Sequence, residues 1–239
     1  MRALLPTAWI GGVTADFAVV SCGYVSPEVA RAFNVTIERR AVAYADADAL
    51  REPGAYLRYI VRNYGAFAEN TAFIHGHDNS WHQATRIFNL LHAARAMVAG
   101  ATALCEGRGP LVYLNSPTPL ASAEPIMFGS SKVSSALWAR CVAPDVANPG
   151  DVPACGCCAQ FVVSRARLMA NPLAMYKRLC AFQQANPFPE RGHTPHEWDA
   201  PNFLEHAWAA LLGEHMKPCA WDDLGHFLHG NRSCVHATR

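Results

Sequence analysis

The densest group of residues that could do chemistry lies at positions 75–82, with the sequence His-Gly-His-Asp-Asn-Ser-Trp-His. Imidazole and carboxylate groups together suit Zn²⁺, Mn²⁺ or Fe²⁺, and they can also transfer protons. On an extended segment His75 and His77 point to the same side, and Gly76 lets a ligand approach the backbone closely. The alternative is a polar loop whose side chains hydrogen-bond among themselves.

Cysteines form a second candidate. Cys155 and Cys158 have the Cys-x-x-Cys spacing of zinc sites and redox pairs. The sequence has no second pair of this spacing, which favours a turn of small residues instead. The chain has nine cysteines, an odd number, so at least one thiol is free or pairs between chains.

Two charged residues lie near predicted helix N-termini. Glu205 opens a predicted helix, where a carboxylate is favoured by the helix dipole, but it could also act as a general base beside a cleft. Arg51 lies just before a predicted helix at residues 54–64, where it could hold an anion or remain a solvated loop residue.

The hydrophobic pattern indicates which elements carry these residues. The first hundred residues alternate strand and helix, which favours an α/β fold with a mostly parallel sheet flanked by helices. The strand at residues 71–74 runs directly into the histidines, and ligands of open α/β sheets bind at such carboxyl ends. Strands are predicted at residues 16–22, 34–44, 71–74, 111–114 and 160–164, and helices at residues 27–33, 54–64, 85–99, 165–171, 173–184 and 202–212.

Composition limits the function classes. The net charge of +1 gives no basic excess for binding nucleic acid, and the charged fraction of 16% is compatible with an oligomer or partner interface. No apolar run reaches the roughly 20 residues that span a bilayer, and the apolar start is too short for a complete signal peptide. We expect an N-terminal extension at residues 1–15, one domain at 16–213 and a C-terminal tail at 214–239 packed on the domain; the compartment stays open.

Several blocks together resemble a known family. Arg51-Glu52 and the segments 56–61, 63–64, 73–77, 80–83 and 158–165 resemble an uncharacterised family of unknown function from fungi, algae and large algal viruses. The resemblance covers about residues 16–213. That family in turn is similar to divergent GT-A glycosyltransferases, which have the nucleotide-diphospho-sugar transferase fold.

The resemblance implies roles for individual residues. Residues 19–24 are similar to the nucleotide-binding opening of the GT-A fold, and residues 75–78 stand where those enzymes carry an Asp-x-Asp metal motif. Here Gly-His-Asp-Asn replaces that motif. The implied catalytic residues are Glu205, as the base, and Asp78. The implied nucleotide-sugar contacts are Val20, Cys22, Tyr24, Arg51, Tyr56, His75 and Trp81. The implied ligands of a divalent metal, Mn²⁺ or Mg²⁺, are His77 and Asp78, with His75 and His82 as further candidates.

Three functions follow as hypotheses. The first is a glycosyltransferase that moves a sugar from a nucleotide-sugar such as a UDP-sugar to a hydroxyl of a glycan or small-molecule acceptor, with or without Mn²⁺. The second is a metal-dependent hydrolase or oxygenase built on residues 75–82. The third is a non-catalytic binding module on a degenerate transferase fold.

Overall fold

The first strand, β1 (Phe17–Ser21), is buried at every position, as its apolar sequence predicts. Helix α1 (Pro27–Ala32) follows, with Pro27 in the first turn and Ser26 as the N-cap; the Ser26 hydroxyl accepts a hydrogen bond from the Val29 N–H at 3.3 Å. β2 (Asn34–Ile37) then pairs in parallel with β1. In this computed structural model the described residues are 17–38, 51–79, 83, 85–101, 109–114, 126–127, 138–146, 151–152, 160–185, 204, 207–208 and 210–213.

Three of the later elements were not predicted, namely two short strands and a π-helical turn between them; the others follow the predicted order with shifted ends. They are α2 (Arg51–Arg62), β3 (Asn70–Ile74), α3 (Ile87–Ala101), β4 (Leu111–Tyr113), β5 (Ile126–Met127), a π-helical turn (Trp138–Val142), β6 (Asp151–Val152), β7 (Phe161–Ser164), α4 (Arg165–Met169) and α5 (Leu173–Ala185). The start predicted for α2, at residue 54, was wrong: Arg51 is the first helical residue, because Pro53 is tolerated within a first turn. Leu204, Ala207, Trp208, Ala210 and Leu211 are also helical.

The main sheet is mixed, and the prediction of a mostly parallel sheet was wrong. Its five strands have the order β2-β1-β3-β7-β4. β1 pairs in parallel with β2 and β3, whereas β7 is antiparallel to both of its neighbours, β3 and β4. A short apolar run looks the same in either direction, so the sequence of β7 could not indicate that it runs opposite to the other four strands.

Helices cover both faces of this sheet. Alternate strand residues point to opposite faces, so Phe73 and Phe161 lie on one face and Ala72 and Val162 on the other. The first face packs against α2, α5 and the helical residues near Trp208, and it contains an aromatic cluster of Tyr56, Phe73, Phe161 and Trp208. The second face packs against α1 and α3. The α/β class predicted from the sequence is confirmed at this level.

A buried arginine holds the last described helical segment against the sheet. Arg167 is 4% exposed; its Nε donates to the Gly109 carbonyl at 2.8 Å and its Nη1 donates to the Leu212 carbonyl at 2.9 Å. Through the Leu212 carbonyl the positive guanidinium contacts a helix C-terminus, the end that favours cations. Residues 1–16 and 214–239 lie outside the described residues, so the predicted domain ends stay predictions. No helix in the described part of the chain is long and apolar enough to cross a membrane.

We expect Arg167→Met to lower the free energy of unfolding by about 3 kcal/mol, because it leaves two carbonyls without their charged donor in a buried place. Arg165→Gln is the control, since Arg165 is 46% exposed and makes only a loose ion pair with Glu69 at 3.8 Å. That control should cost at most about 0.5 kcal/mol. Urea denaturation measures the free energy of unfolding of both variants. Equal losses of this free energy in the two variants would contradict the role given to Arg167.

Candidate functional site

The candidate site lies at the carboxyl ends of β1 and β3. From these two neighbouring strands the chain continues to strands on opposite sides of the sheet. β1 connects through α1 to β2 on one side, and β3 connects through α3 to β4 on the other. β1 and β3 are parallel neighbours, so their carboxyl ends lie side by side. Such a point, where the strand order reverses, is where open α/β sheets bind ligands. We call residues 22–24, after β1, and residues 75–78, after β3, the edge site.

Two glycines bring the halves of the edge site into backbone contact. A Cβ added to Gly76 would lie 2.6 Å from the Gly23 Cα and 2.9 Å from the Tyr24 nitrogen. A Cβ added to Gly23 would lie 3.3 Å from the Gly76 Cα. No side chain fits at Gly76 unless the backbone of the opposite loop moves. The two loops are therefore packed main chain against main chain.

The histidines after β3 contact each other. His75 Nδ1 and His77 Nε2 are 3.1 Å apart, and the two rings meet edge to face with their centroids 5.0 Å apart. This confirms that the two rings are on the same side of the segment, as the spacing predicted. The backbone N–H of His75 donates to the side-chain oxygen of Gln160 at 3.1 Å. Gln160 is fully buried directly before β7. The antiparallel strand therefore holds the start of residues 75–78, which we call the histidine loop.

Asp78 belongs to a three-residue ion network. Its Oδ2 accepts a hydrogen bond from Arg86 Nε at 2.7 Å, while Arg86 Nη2 donates to Glu28 Oε2 at 2.6 Å. The hydrogen bond with Asp78 is the largest of the effects that raise the pKa of the Arg86 guanidinium above its usual value. The Asp78 carbonyl also accepts the Ile87 N–H at 2.9 Å, at the start of α3. Glu28 belongs to α1, so the network links the elements that follow β1 and β3.

The residues present fit a metal only in part. Asp78 Oδ1 is buried and has no hydrogen-bond partner among the described residues, so it could accept a cation or a donor from a ligand. Over the same residues, no three His, Cys, Asp or Glu side chains are grouped closely enough to hold a metal ion. A divalent cation next to His77 and Asp78 would therefore need other ligands, such as the phosphates of a nucleotide.

The residues that the resemblance implies as nucleotide contacts differ in how exposed their side chains are. The Tyr24 side chain is 67% exposed next to the glycine contact, which suits a surface for stacking. Val20, Cys22 and Tyr56 are at most 2% exposed and pack in the core, and His75 is 8% exposed. In this structure Tyr56 therefore packs against one face of the sheet, in contact with Phe73 and Trp208.

Several candidate residues lie outside the described residues: Glu205, Trp81, His82, Cys155, Cys158 and the side chain of Arg51. Their predicted roles stay predictions. Conversely, the structure shows three contributors that sequence reasoning did not single out: Glu28, Arg86 and the pairing of Gly23 with Gly76. A glycine within two residues of the end of each of two predicted strands is the one signal that could have indicated the close contact.

Comparisons with known proteins give one match. A family model described as a protein of unknown function (DUF3431) matches residues 24–100, less than half of the chain. Neither the curated proteins nor the solved structures contain a match. The expected resemblance to a family of unknown function is thus supported over a shorter range than 16–213. The matched range includes Tyr24, both histidines, Asp78 and Arg86.

We expect Gly76→Ala to destabilise the protein by about 2 kcal/mol, because the new methyl group would overlap the backbone of the opposite loop. Gly23→Ala is the matched control, since its methyl group would meet one backbone atom at a distance that a small shift relieves. Chemical denaturation of both variants tests the order. A smaller loss for Gly76→Ala than for Gly23→Ala would show that the loops do not depend on this contact.

Proposed function

We propose that this protein is a glycosyltransferase-like enzyme that binds a nucleotide-sugar at the edge site and transfers its sugar to a hydroxyl acceptor. The observation that carries the proposal is the position of the His75, His77 and Asp78 side chains at the reversal point of the sheet, next to an exposed aromatic ring. The resemblance of the sequence blocks to GT-A enzymes supports the choice of reaction among those this position allows.

Individual side chains would have distinct tasks in such a reaction. The exposed Tyr24 ring stacks on the nucleobase. The acceptor oxygen attacks the anomeric carbon, the bond from that carbon to the diphosphate oxygen breaks, and the acceptor proton goes to Glu205. The nucleoside diphosphate leaves with increased negative charge. Ring N–H groups of the histidine pair would donate hydrogen bonds to the diphosphate and offset that charge, since the edge site lies at the strand ends where the diphosphate would bind.

A divalent cation, when bound, would offset charge on the leaving diphosphate. Asp78 and His77 are the side chains that would hold it, and the unpartnered Asp78 Oδ1 is the best-suited donor. Because the described residues supply few ligands, we expect Mn²⁺ to bind with a nucleoside diphosphate rather than alone.

The hydrolase or oxygenase hypothesis makes the opposite prediction for metal. It requires residues 75–82 to hold a transition metal without nucleotide, with His82 among the ligands. Metal analysis of the purified protein separates the two: stoichiometric metal without nucleotide supports the hydrolase or oxygenase, and metal retained only with UDP supports the transferase. A binding module would bind nucleotide-sugars and turn over none of them.

We expect UDP-sugars to raise the melting temperature, and Tyr24→Ala to weaken UDP affinity about ten-fold through loss of stacking. Tyr24→Phe, which keeps the ring, should bind within about two-fold of the wild type. Met169→Ala is the surface control, because Met169 is also an exposed apolar residue (39%) but follows the carboxyl end of β7, at the opposite edge of the sheet. Titration calorimetry measures the UDP affinities of the wild type and of these three variants.

Catalysis is tested separately from binding. We expect Glu205→Gln to bind UDP-sugar like the wild type and to lose transfer by at least about a hundred-fold, because the acceptor proton has no base. Radiolabelled or mass-resolved sugar transfer gives the measurement. The proposal fails if no nucleotide changes the melting temperature of the wild type and Glu205→Gln leaves transfer unchanged.

A further inference from the structure

The Asp78–Arg86–Glu28 network spans the two halves of the site. Arg86 lies directly before α3 and contacts one carboxylate from the histidine loop and one from α1. The guanidinium and Glu28 are each 45% exposed, whereas Asp78 is 25% exposed. Ion pairs this accessible to water contribute little to folding stability. A stabilising role is thus a weak explanation of the network.

The place of Arg86 in the chain also needs an explanation. A positive side chain at the N-terminus of a helix is opposed by the helix dipole, and α3 has fifteen residues. The two carboxylates offset this unfavourable position. Each of the two contacts uses a different nitrogen of the planar guanidinium, Nε for Asp78 and Nη2 for Glu28, so the fork fixes the two carboxylates relative to each other.

We propose that Arg86 is a positioning residue of the edge site, which joins α1 to the histidine loop and holds Asp78 by Oδ2 alone. Asp78 Oδ1 is then the oxygen that faces the ligand; it is buried and unpartnered within the described part of the chain. This inference rests on the proposed function for its ligand, and on the structure alone for the link between α1 and the loop.

The link is tested without any ligand by amide hydrogen exchange. The Ile87 N–H reports on the loop through its bond to the Asp78 carbonyl, and the Val29 N–H reports on α1 through its bond to Ser26. We expect Arg86→Gln to raise both exchange rates about three-fold. In the Arg86→Gln variant, adding Glu28→Gln should raise these exchange rates less than Glu28→Gln does in the wild type, because the contact between Arg86 and Glu28 is already absent.

Arg165→Gln is the matched control for removing a surface arginine. Arg165 and its partner Glu69 are 46% and 45% exposed, close to the values for Arg86 and Glu28, and they lie at the opposite edge of the sheet. The control should leave both exchange rates unchanged. The link is disproved if Arg86→Gln changes the two rates no more than Arg165→Gln does.

The role of Arg86 in holding Asp78 is tested with UDP and Mn²⁺ as the probe. We expect Arg86→Gln to weaken binding about ten-fold, Asp78→Asn at least as much, and the double variant no more than Asp78→Asn alone. Arg86→Lys, which keeps the charge but not the fork, should fall between the wild type and Arg86→Gln. The ligand-free melting temperatures of these variants should match that of Arg165→Gln.

Two results would overturn this part of the inference. If the losses of the single variants multiply in the double variant, Arg86 acts on the ligand by itself and not through Asp78. If Asp78→Asn binds like the wild type, Asp78 Oδ1 does not face the ligand. A wild type that binds no nucleotide contradicts the proposed function instead, and the exchange experiment then decides whether Arg86 links α1 to the loop.

Discussion

The backbone contact between Gly23 and Gly76 is the constraint on which the candidate site depends. Parallel strands lie only about 4.8 Å apart, so the loops leaving neighbouring carboxyl ends compete for the same space. With a side chain at Gly76 the loops would be forced apart, since its Cβ would lie 2.6 Å from the other backbone. With glycine at both positions, the backbone of Tyr24, whose side chain is exposed, lies beside the segment that carries the histidine pair.

The surrounding elements secure this edge from several directions. The buried Gln160 accepts the His75 N–H from the antiparallel strand β7, and its own carbonyl accepts the Leu114 N–H from the end of β4 at 2.9 Å. The antiparallel direction of β7 matters here, because it brings the start of this strand, and not its end, next to the histidines that follow β3. The antiparallel strand therefore contributes to the candidate site as well as to the core.

Polar groups in this fold are arranged differently at the two sheet edges. At the edge site, Asp78, Arg86 and Glu28 form a network that is partly exposed to water. At the opposite edge, the buried Arg167 satisfies carbonyls of Gly109 and Leu212 and fastens a helix end. Breaking the hydrogen bonds of Arg167 costs free energy because its partners are buried and water cannot replace it. Water can replace lost partners in the exposed network of Asp78, Arg86 and Glu28, so changes there cost less.

Local physics determined much of this protein from the sequence alone. Alternating strand and helix patterns placed the elements, Ser26 and Pro27 marked the start of α1, and the histidines were placed at the end of β3. Only the tertiary structure decided the direction of β7 and the roles of Arg86 and Glu28. Those depend on contacts between distant segments: Glu28 and Arg86 are 58 residues apart, and β7 pairs with β3, where Ser164 lies opposite Asn70. A local pattern fixes which face of an element is apolar, but not which distant element packs there or in which direction it runs.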